Sequence, residues 1–247
     1  MNTSLINHHI TRHYPRAIPA PEFRHQILEA LLKEGFEDPS KILLAVSLCS
    51  DDVNAVHDQD VTWARKHFSR HLLGPFELGG LAGYPFGGLT GISTIAHHIP
   101  DDGTALIIYG PHIGVDDEGH LGWLMRPGQH KTSCACGALT LAVKRLSESG
   151  ETMIELDPDD IEQSFLSQLL VQHRDRILNA SEPLKEATEV LYQTIEQAIY
   201  RYLRAKAADF KIQRIVVAGI VLINTQASQE DYVELRRLET FNLRPTQ

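Results

Sequence analysis

The sequence predicts a single α/β domain with a mostly parallel central β-sheet flanked by helices. Short, continuous apolar runs recur at "KILLAVSL", "ALIIYG" and "RIVVAGIVLIN", and such runs are typical of strands that are buried on both faces. Segments with apolar residues every three or four positions precede the first run and lead into the last, as in a strand–helix–strand order. A chain of 247 residues is long enough to bury such a core.

The N-terminal lead is expected to be an arm, residues 1–20, ahead of a single α/β domain at residues 21–247. The lead is polar, contains prolines and carries several histidines, so a frayed or partner-packed arm is expected there rather than a metal site. The next segment, "PEFRHQILEALLK", has apolar residues at helical spacing and a proline at its entry. It predicts a helix over residues 21–33.

The middle of the chain is unusually rich in glycine, with fourteen of the seventeen glycines between Gly74 and Gly137. The stretch "GPFELGGLAGYPFGGLTGIS" is too apolar for a flexible linker and too rich in glycine for a regular element. Such glycines let backbones pack closely or adopt positive φ. They indicate either buried turns or a loop around a ligand.

The C-terminal part returns to helical spacing after Asp159, in "DPDDIEQSFLSQLLVQHRDRILNA" and "SEPLKEATEVLYQTIEQAIYRYLRAKAADF". These amphipathic segments lead into the strand-like run "RIVVAGIVLIN". The final segment, "QASQEDYVELRRLETFNLRPTQ", carries apolar residues that either contact a partner or pack onto their own domain.

Charge and composition narrow the classes of partner. A net charge of −9 and a pI near 5.8 argue against nucleic acid and against an anionic membrane surface. The sequence shows no secretory signal and no apolar run approaching a membrane span, which favours a cytoplasmic protein. A small-molecule substrate remains open.

One cysteine and one histidine each follow a predicted strand. Cys49 ends the run "ILLAVSL" and His112 follows "ALIIYGP", so both are expected at the carboxyl edge of the sheet, where α/β proteins hold ligands. Thiolate and imidazole suit zinc, and a third ligand would be Cys134 or Cys136. A single third ligand completes a Cys₂His set, so only one of these two is expected to bind. A thiol enzyme that uses Cys49 beside an imidazole is the rival interpretation.

Five segments occur in an order that resembles a known family. They are "LAVSLCSDDVN", "GGLAGYPFGGLTG", "AHHIPDDG", "YGPHIGV" and "RPGQHKTSCACGA". Together they resemble the limiting-CO2-inducible protein B/C family, grouped as theta-class carbonic anhydrases. The resemblance implies a fold and active site like those of beta-class carbonic anhydrases, a homodimer, and zinc held by Cys49, His112 and Cys136. Cys136 is preferred to Cys134 because the family cysteine directly precedes Gly-Ala.

The resemblance also implies the reaction, the interconversion of CO2 and bicarbonate by attack of zinc-bound hydroxide on CO2. A dry pocket for CO2 is expected from Leu81, Tyr84 and Phe86. A catalytically silent zinc protein that binds bicarbonate or has a regulatory role is the alternative. His97, His98 and His120 would either shuttle protons or serve structural roles.

Asp51 matches the aspartate of the beta-class Cys-x-Asp motif, where it orients the attacking hydroxide and pairs with an arginine. The motif's arginine is replaced here by Val53, so the partner must come from Arg65, Arg70 or Arg126. If none of them reaches Asp51, the carboxylate could close the zinc site instead.

The interval of twenty-three residues between His112 and Cys136 is an insertion by comparison with beta-class enzymes. It contains the turn-forming sequence Asp117-Glu118-Gly119, followed by apolar residues. We expect a short hairpin or ordered loop that folds over the site and carries Arg126 to Asp51. The alternative is a surface excursion far from the zinc.

Overall fold

The computed structural model describes residues 3–55, 64, 67–68, 74–148, 154–226 and 229–243. Arg65 and Arg70 lie outside the described residues, so Arg126 is the one candidate partner of Asp51 that can be located. Within the described ranges, no helix combines the length and the apolar character that crossing a bilayer requires.

The described elements alternate between helices and strands up to residue 47, and the later helices and strands occur mostly in groups. The helices are α1 (Thr3–His13), α2 (Ala20–Lys33), α3 (Gly88–His98), α4 (Gly137–Glu148), α5 (Ile161–Val171), α6 (Arg174–Leu178) and α7 (Pro183–Ala205). The strands are β1 (Ile18–Pro19), β2 (Ile42–Ser47), β3 (Phe76–Glu77), β4 (Thr104–Tyr109), β5 (His112–Gly114), β6 (Trp123–Leu124), β7 (Ser133–Cys134), β8 (Arg214–Asn224) and β9 (Tyr232–Asn242).

Seven of these strands form one sheet in the order β1-β9-β8-β4-β2-β3, with β5 paired to β8 beyond the end of β4. The pairs among β3, β2, β4, β8 and β5 are parallel, whereas β8–β9 and β9–β1 are antiparallel. The predicted fold class, a mostly parallel sheet flanked by helices, is therefore confirmed.

The continuous apolar runs become central strands because both of their faces are covered. Every residue of β2 and β4 is buried, and alternate side chains enter two different cores. One core packs the sheet against α2 through Phe23, Ile27 and Leu31. The other packs it against α1, α3, α4, α5, α6 and α7.

The N-terminal lead does not form the frayed arm that its polarity indicated. Residues 3–13 are helical, and Ile6, Ile10 and Tyr14 are buried in the larger core with the sheet. The spacing of these three apolar residues by four is the signal that the polar composition obscured.

The C-terminal segment packs onto its own domain rather than standing free for a partner. It forms β9, which pairs along nearly its whole length with β8 and buries Tyr232 and Val233. Of the two interpretations left open by the sequence, the structure supports self-packing.

The carboxyl ends of the parallel strands meet at one edge of the sheet. Ser47 of β2 lies beside Tyr109 of β4, and β5 continues along β8 so that His112 lies opposite Leu222. The loops that leave these strand ends carry the polar residues described next.

Candidate metal centre

Three side chains that could hold a metal ion converge at this edge: Cys49, His112 and Cys136. Cys49 follows β2, His112 begins β5, and Cys136 lies between β7 and α4. All three are buried, and their candidate ligand atoms lie within 4.8 Å of one another. Distant parts of the sequence thus supply one compact donor set.

The spacing of the donors fits a tetrahedral metal. The sulfur atoms of Cys49 and Cys136 are 3.6 Å apart. Two thiolates at about 2.3 Å from a tetrahedral zinc would be about 3.8 Å apart. The Nε2 atom of His112 is buried without a hydrogen-bond partner among the described residues. A polar atom in that state normally has a partner, and a metal ion would provide one.

Cys134 and Cys136 are separated by two positions and lie in different surroundings. Cys136 is buried in the cluster, whereas Cys134 is partly exposed on β7, opposite Trp123, and is outside the cluster. The structure thus brings together the three residues that the resemblance implied as ligands and leaves Cys134 out.

His112 is oriented by a residue that the sequence analysis missed, Asn224. The Nδ1 atom of His112 lies 2.7 Å from Oδ1 of Asn224, which accepts a hydrogen bond from the ring N–H and leaves Nε2 directed at the cysteines. The Asn224 amide in turn donates to Asn54 and Asp231. A signal was present, because Asn224 ends the apolar run of β8 at the same edge of the sheet as the other strand ends.

Asp51 and Arg126 form an ion pair beside the cluster, in which both carboxylate oxygens are engaged. One nitrogen of Arg126 donates to both carboxylate oxygens of Asp51, at 2.8 and 2.9 Å. Burial raises the pKa of Asp51, but the hydrogen bond from Arg126, the charge of His112 and further hydrogen bonds together outweigh it, and the pKa lies below its ordinary value. The structure places Arg126 beside Asp51, and its role as the replacement for the arginine missing at Val53 stays a prediction.

The insertion between His112 and Cys136 folds as two reversals of the chain. The first is the predicted tight turn, in which Gly119 donates to the Asp116 carbonyl and Val115 bridges Leu121. The second is the hairpin of β6 and β7, which places Arg126 just after β6 and Cys136 just after β7. Val53 packs beneath this hairpin against Leu124 and Ala135.

The glycine-rich segment approaches the cluster through its backbone. A side chain at Gly79 would collide with the backbone of Leu48, and one at Gly83 would collide with the Gly110 carbonyl. Because both positions lack a side chain, the turn at residues 79–83 packs directly on the strand ends. It directs the N–H of Ala82 at Sγ of Cys49, 3.2 Å away.

The two clustered thiols differ in acidity. A hydrogen bond from Cys136 is the main cause that lowers the pKa of Cys49 to about 4, with help from His112 and against the effect of burial. The same interaction, together with burial, raises the pKa of Cys136. Because cysteines bind metals as thiolates, metal binding at this pair would release protons.

The three residues expected to line a CO2 pocket occupy two places. Tyr84 and Phe86 line a cavity of about 730 Å³, walled also by Phe165, Arg201 and other residues of α5 and α7, but by none of the three clustered ligands. Leu81 belongs to the turn that contacts Cys49 and packs against the larger core. Their role in binding CO2 stays a prediction.

The three candidate shuttle histidines make local contacts. His120 lies 3.0 Å from the Asp116 carboxylate, which raises its pKa, and its side chain is exposed. His97 bonds to the Ser93 carbonyl within α3, and His98 stacks edge-on against Phe76. These contacts suit structural roles.

Comparison with known proteins agrees with this geometry. Residues 17–242 match the family described as limiting CO2-inducible proteins B/C, beta carbonic anhydrases. The crystal structure of PtLCIB4, a homolog of the limiting CO2-inducible protein LCIB, is 29% identical with a TM-score of 0.83, over 95% of each chain. A histidine-to-alanine variant of PtLCIB4 is 28% identical with a TM-score of 0.84, over 98% of this chain and 95% of that one.

The fold extends to a more distant protein. The structure of LCIB itself is 21% identical with a TM-score of 0.69, over 97% of this chain and 94% of that one, which supports the fold alone. No curated protein matches the chain significantly. The family match covers nearly the whole chain, so this protein belongs to the limiting CO2-inducible protein B/C family of beta carbonic anhydrases.

Proposed function

We propose that this protein is a zinc-dependent carbonic anhydrase, a lyase that interconverts CO2 and bicarbonate. One observation carries the proposal: two thiols and one imidazole converge beside a carboxylate that an arginine holds by both oxygens. Three protein ligands leave one position of a tetrahedral zinc open, as in catalytic rather than structural sites. When bound, zinc would lower the pKa of water towards neutrality and so supply the hydroxide that hydrates CO2.

Asp51 is proposed to orient the attacking oxygen. Its Oδ2 lies 3.9 Å from Nε2 of His112, so the carboxylate is next to the place where the ligands converge. Arg126 keeps Asp51 ionised, and an ionised carboxylate accepts a proton in a hydrogen bond from water or hydroxide. Because Arg126 engages both carboxylate oxygens, it also restrains Asp51 from acting as a fourth ligand.

The central experiment measures zinc content and CO2 hydration on the same preparations. The wild type should hold about one zinc per chain and hydrate CO2 by stopped flow, with a rate that rises towards alkaline pH. The reason is that two thiolates donate charge to the metal and leave its water less acidic than three histidines do. Asp51→Ala should retain zinc and lower the rate by at least about 10- to 100-fold, the usual cost of losing a group that orients a metal site.

A matched control is available at the next residue. Asp52 also accepts from Arg126, at 3.1 Å, but its side chain is 83% exposed. Asp52→Ala removes the same charge and should keep most of the activity. A wild type that binds zinc but never exceeds the buffer rate at any pH would refute the enzyme. The protein would then be a catalytically silent zinc protein, and calorimetry can measure whether it binds bicarbonate.

A thiol enzyme is the second candidate, favoured by the lowered pKa of Cys49. Alkylation separates the two functions. If the protein is a zinc enzyme, iodoacetamide should react with Cys49 only after a chelator removes the metal. Rapid alkylation of Cys49 in a fully active preparation would instead support nucleophilic catalysis.

We further propose a homodimer in the cytoplasm. Leu156 and Ile161 are each 49% exposed beside the cavity of Tyr84, and a second copy would cover such side chains. The free state of Cys49, Cys134 and Cys136 suits a reducing compartment. Light scattering coupled to gel filtration, and fractionation of cells, test the two statements separately.

A further inference from the structure

The turn at residues 79–83 contains a strained backbone conformation, which contacts from neighbouring elements must stabilise. Ala82 has φ of 55° and ψ of 15°, the left-handed region that a residue with a side chain rarely adopts. This conformation directs its N–H at Sγ of Cys49, 3.2 Å away. A strained backbone persists only where its surroundings fix it.

The contact that fixes this turn from the helical layer is made by Glu162 of α5. Its Oε2 accepts the N–H of Leu81 at 2.8 Å, one residue before Ala82. Gly80 makes room for it, since a Cβ at Gly80 would lie 2.5 Å from the same oxygen. The carboxylate and the missing side chain are therefore two halves of one contact.

The strand layer fixes the other end of the turn. The Ser47 hydroxyl donates to the Gly83 carbonyl at 3.0 Å, and Gly83 itself has a φ of 82° and packs on the Gly110 carbonyl. With both ends tied, the Ala82 N–H has little freedom to leave the sulfur. A hydrogen bond to a ligand sulfur withdraws charge from it and tunes the metal that it binds.

We propose that Glu162 is a positioning residue for the metal centre, acting through the Leu81 N–H to hold the Ala82 N–H on Cys49. This inference rests on the metal site of the proposed function. It assigns a role to a carboxylate that makes no contact with the ligands themselves. It also explains why α5, a helix remote in sequence, begins against the glycine-rich turn.

The test uses Co²⁺, whose charge-transfer absorption with thiolates reports sulfur donation without any turnover. In Glu162→Ala the Ala82 N–H should drift from Cys49, which should shift this band and weaken Co²⁺ binding about tenfold, within the usual range for an outer contact of a metal site. Glu162→Gln keeps an oxygen acceptor and should restore both readouts. Asp159→Ala removes a neighbouring exposed charge and should leave both unchanged.

A double-mutant cycle makes the test independent of general destabilisation. Gly80→Ala should have the same effect as Glu162→Ala, because the new methyl displaces the carboxylate. If Glu162→Ala does not fold, Gly80→Ala tests the role of Glu162 in its place. In the Glu162→Ala background the added methyl meets no carboxylate and should have little further effect. If Glu162→Ala and Gly80→Ala fold and keep the wild-type absorption band and Co²⁺ affinity, the proposed role of Glu162 is refuted but the metal site is not. A wild type that binds no Co²⁺ would refute the metal site as well.

Discussion

Removal of the Arg126 guanidinium tests how the site is held together. This group pairs with Asp51 at 2.8 Å, and the two side chains are only 15% and 12% exposed. It also donates to Asp52 and to the Cys134 carbonyl. Truncating one partner of a buried ion pair costs about 3–5 kcal/mol, and the residual exposure puts Arg126→Ala near 3 kcal/mol. In a chain of this size that lowers Tm by roughly 6–12 °C.

The assay is urea denaturation of metal-free protein, so that ligand binding does not mask the loss. Arg126→Lys is the matched variant: it keeps the charge but not the guanidinium, whose three nitrogens reach Asp51, Asp52 and the Cys134 carbonyl, and should fall between wild type and Arg126→Ala. A loss below about 1 kcal/mol, the value typical of an exposed pair, would refute the reasoning.

The pH dependence gives a second check with a definite sign. The pKa of Asp51 is lower in the folded protein than its ordinary value of 3.8. The stability that it contributes is therefore fully present above pH 3.8 and is lost as the pH falls through the folded pKa. The difference between wild type and Arg126→Ala should thus be constant from pH 7 to pH 5 and shrink below pH 4. A difference unchanged at pH 3 would assign the loss to packing rather than to the ion pair.

Two further predictions concern the ligands. Zinc measured by mass spectrometry should be lost in Cys49→Ala, His112→Ala and Cys136→Ala but retained in Cys134→Ala, and the opposite result for the last two would reverse the assignment. Asn224→Ala should weaken zinc binding about 10- to 100-fold, because His112 loses the acceptor that fixes its ring, and an unchanged affinity in a competition titration would contradict that role.

The sequence predicted the parts of the fold that depend on local pattern. The apolar runs gave β2, β4 and β8, and the ends of two of them gave Cys49 and His112 at one edge. The prediction of a frayed arm was wrong because it relied on the polar composition of the lead. Three apolar residues there, such as Ile10, are buried in a core that distant segments build.

The predictions for the site reached as far as side chains with distinctive chemistry. Arg126 could be predicted because Val53 occupies the position where the motif has an arginine, and because the intervening segment contains a recognisable turn sequence with glycine. Asn224 was missed because an amide at a strand end has many roles, and only the pairing of β5 with β8 brings it to His112. Glu162 was missed since its partner is a backbone N–H, which no sequence pattern reveals.

The β6–β7 hairpin carries Arg126 and leads directly into Cys136, and this arrangement has a consequence for how the site comes apart. A motion that lifts the hairpin removes a metal ligand and the partner of Asp51 in one event. The centre should therefore open as one cooperative unit, whose amides exchange with solvent together rather than one by one. Since a metal binds only the closed form, it would slow amide exchange across the whole hairpin. The ion proposed for catalysis would therefore also stabilise this part of the fold.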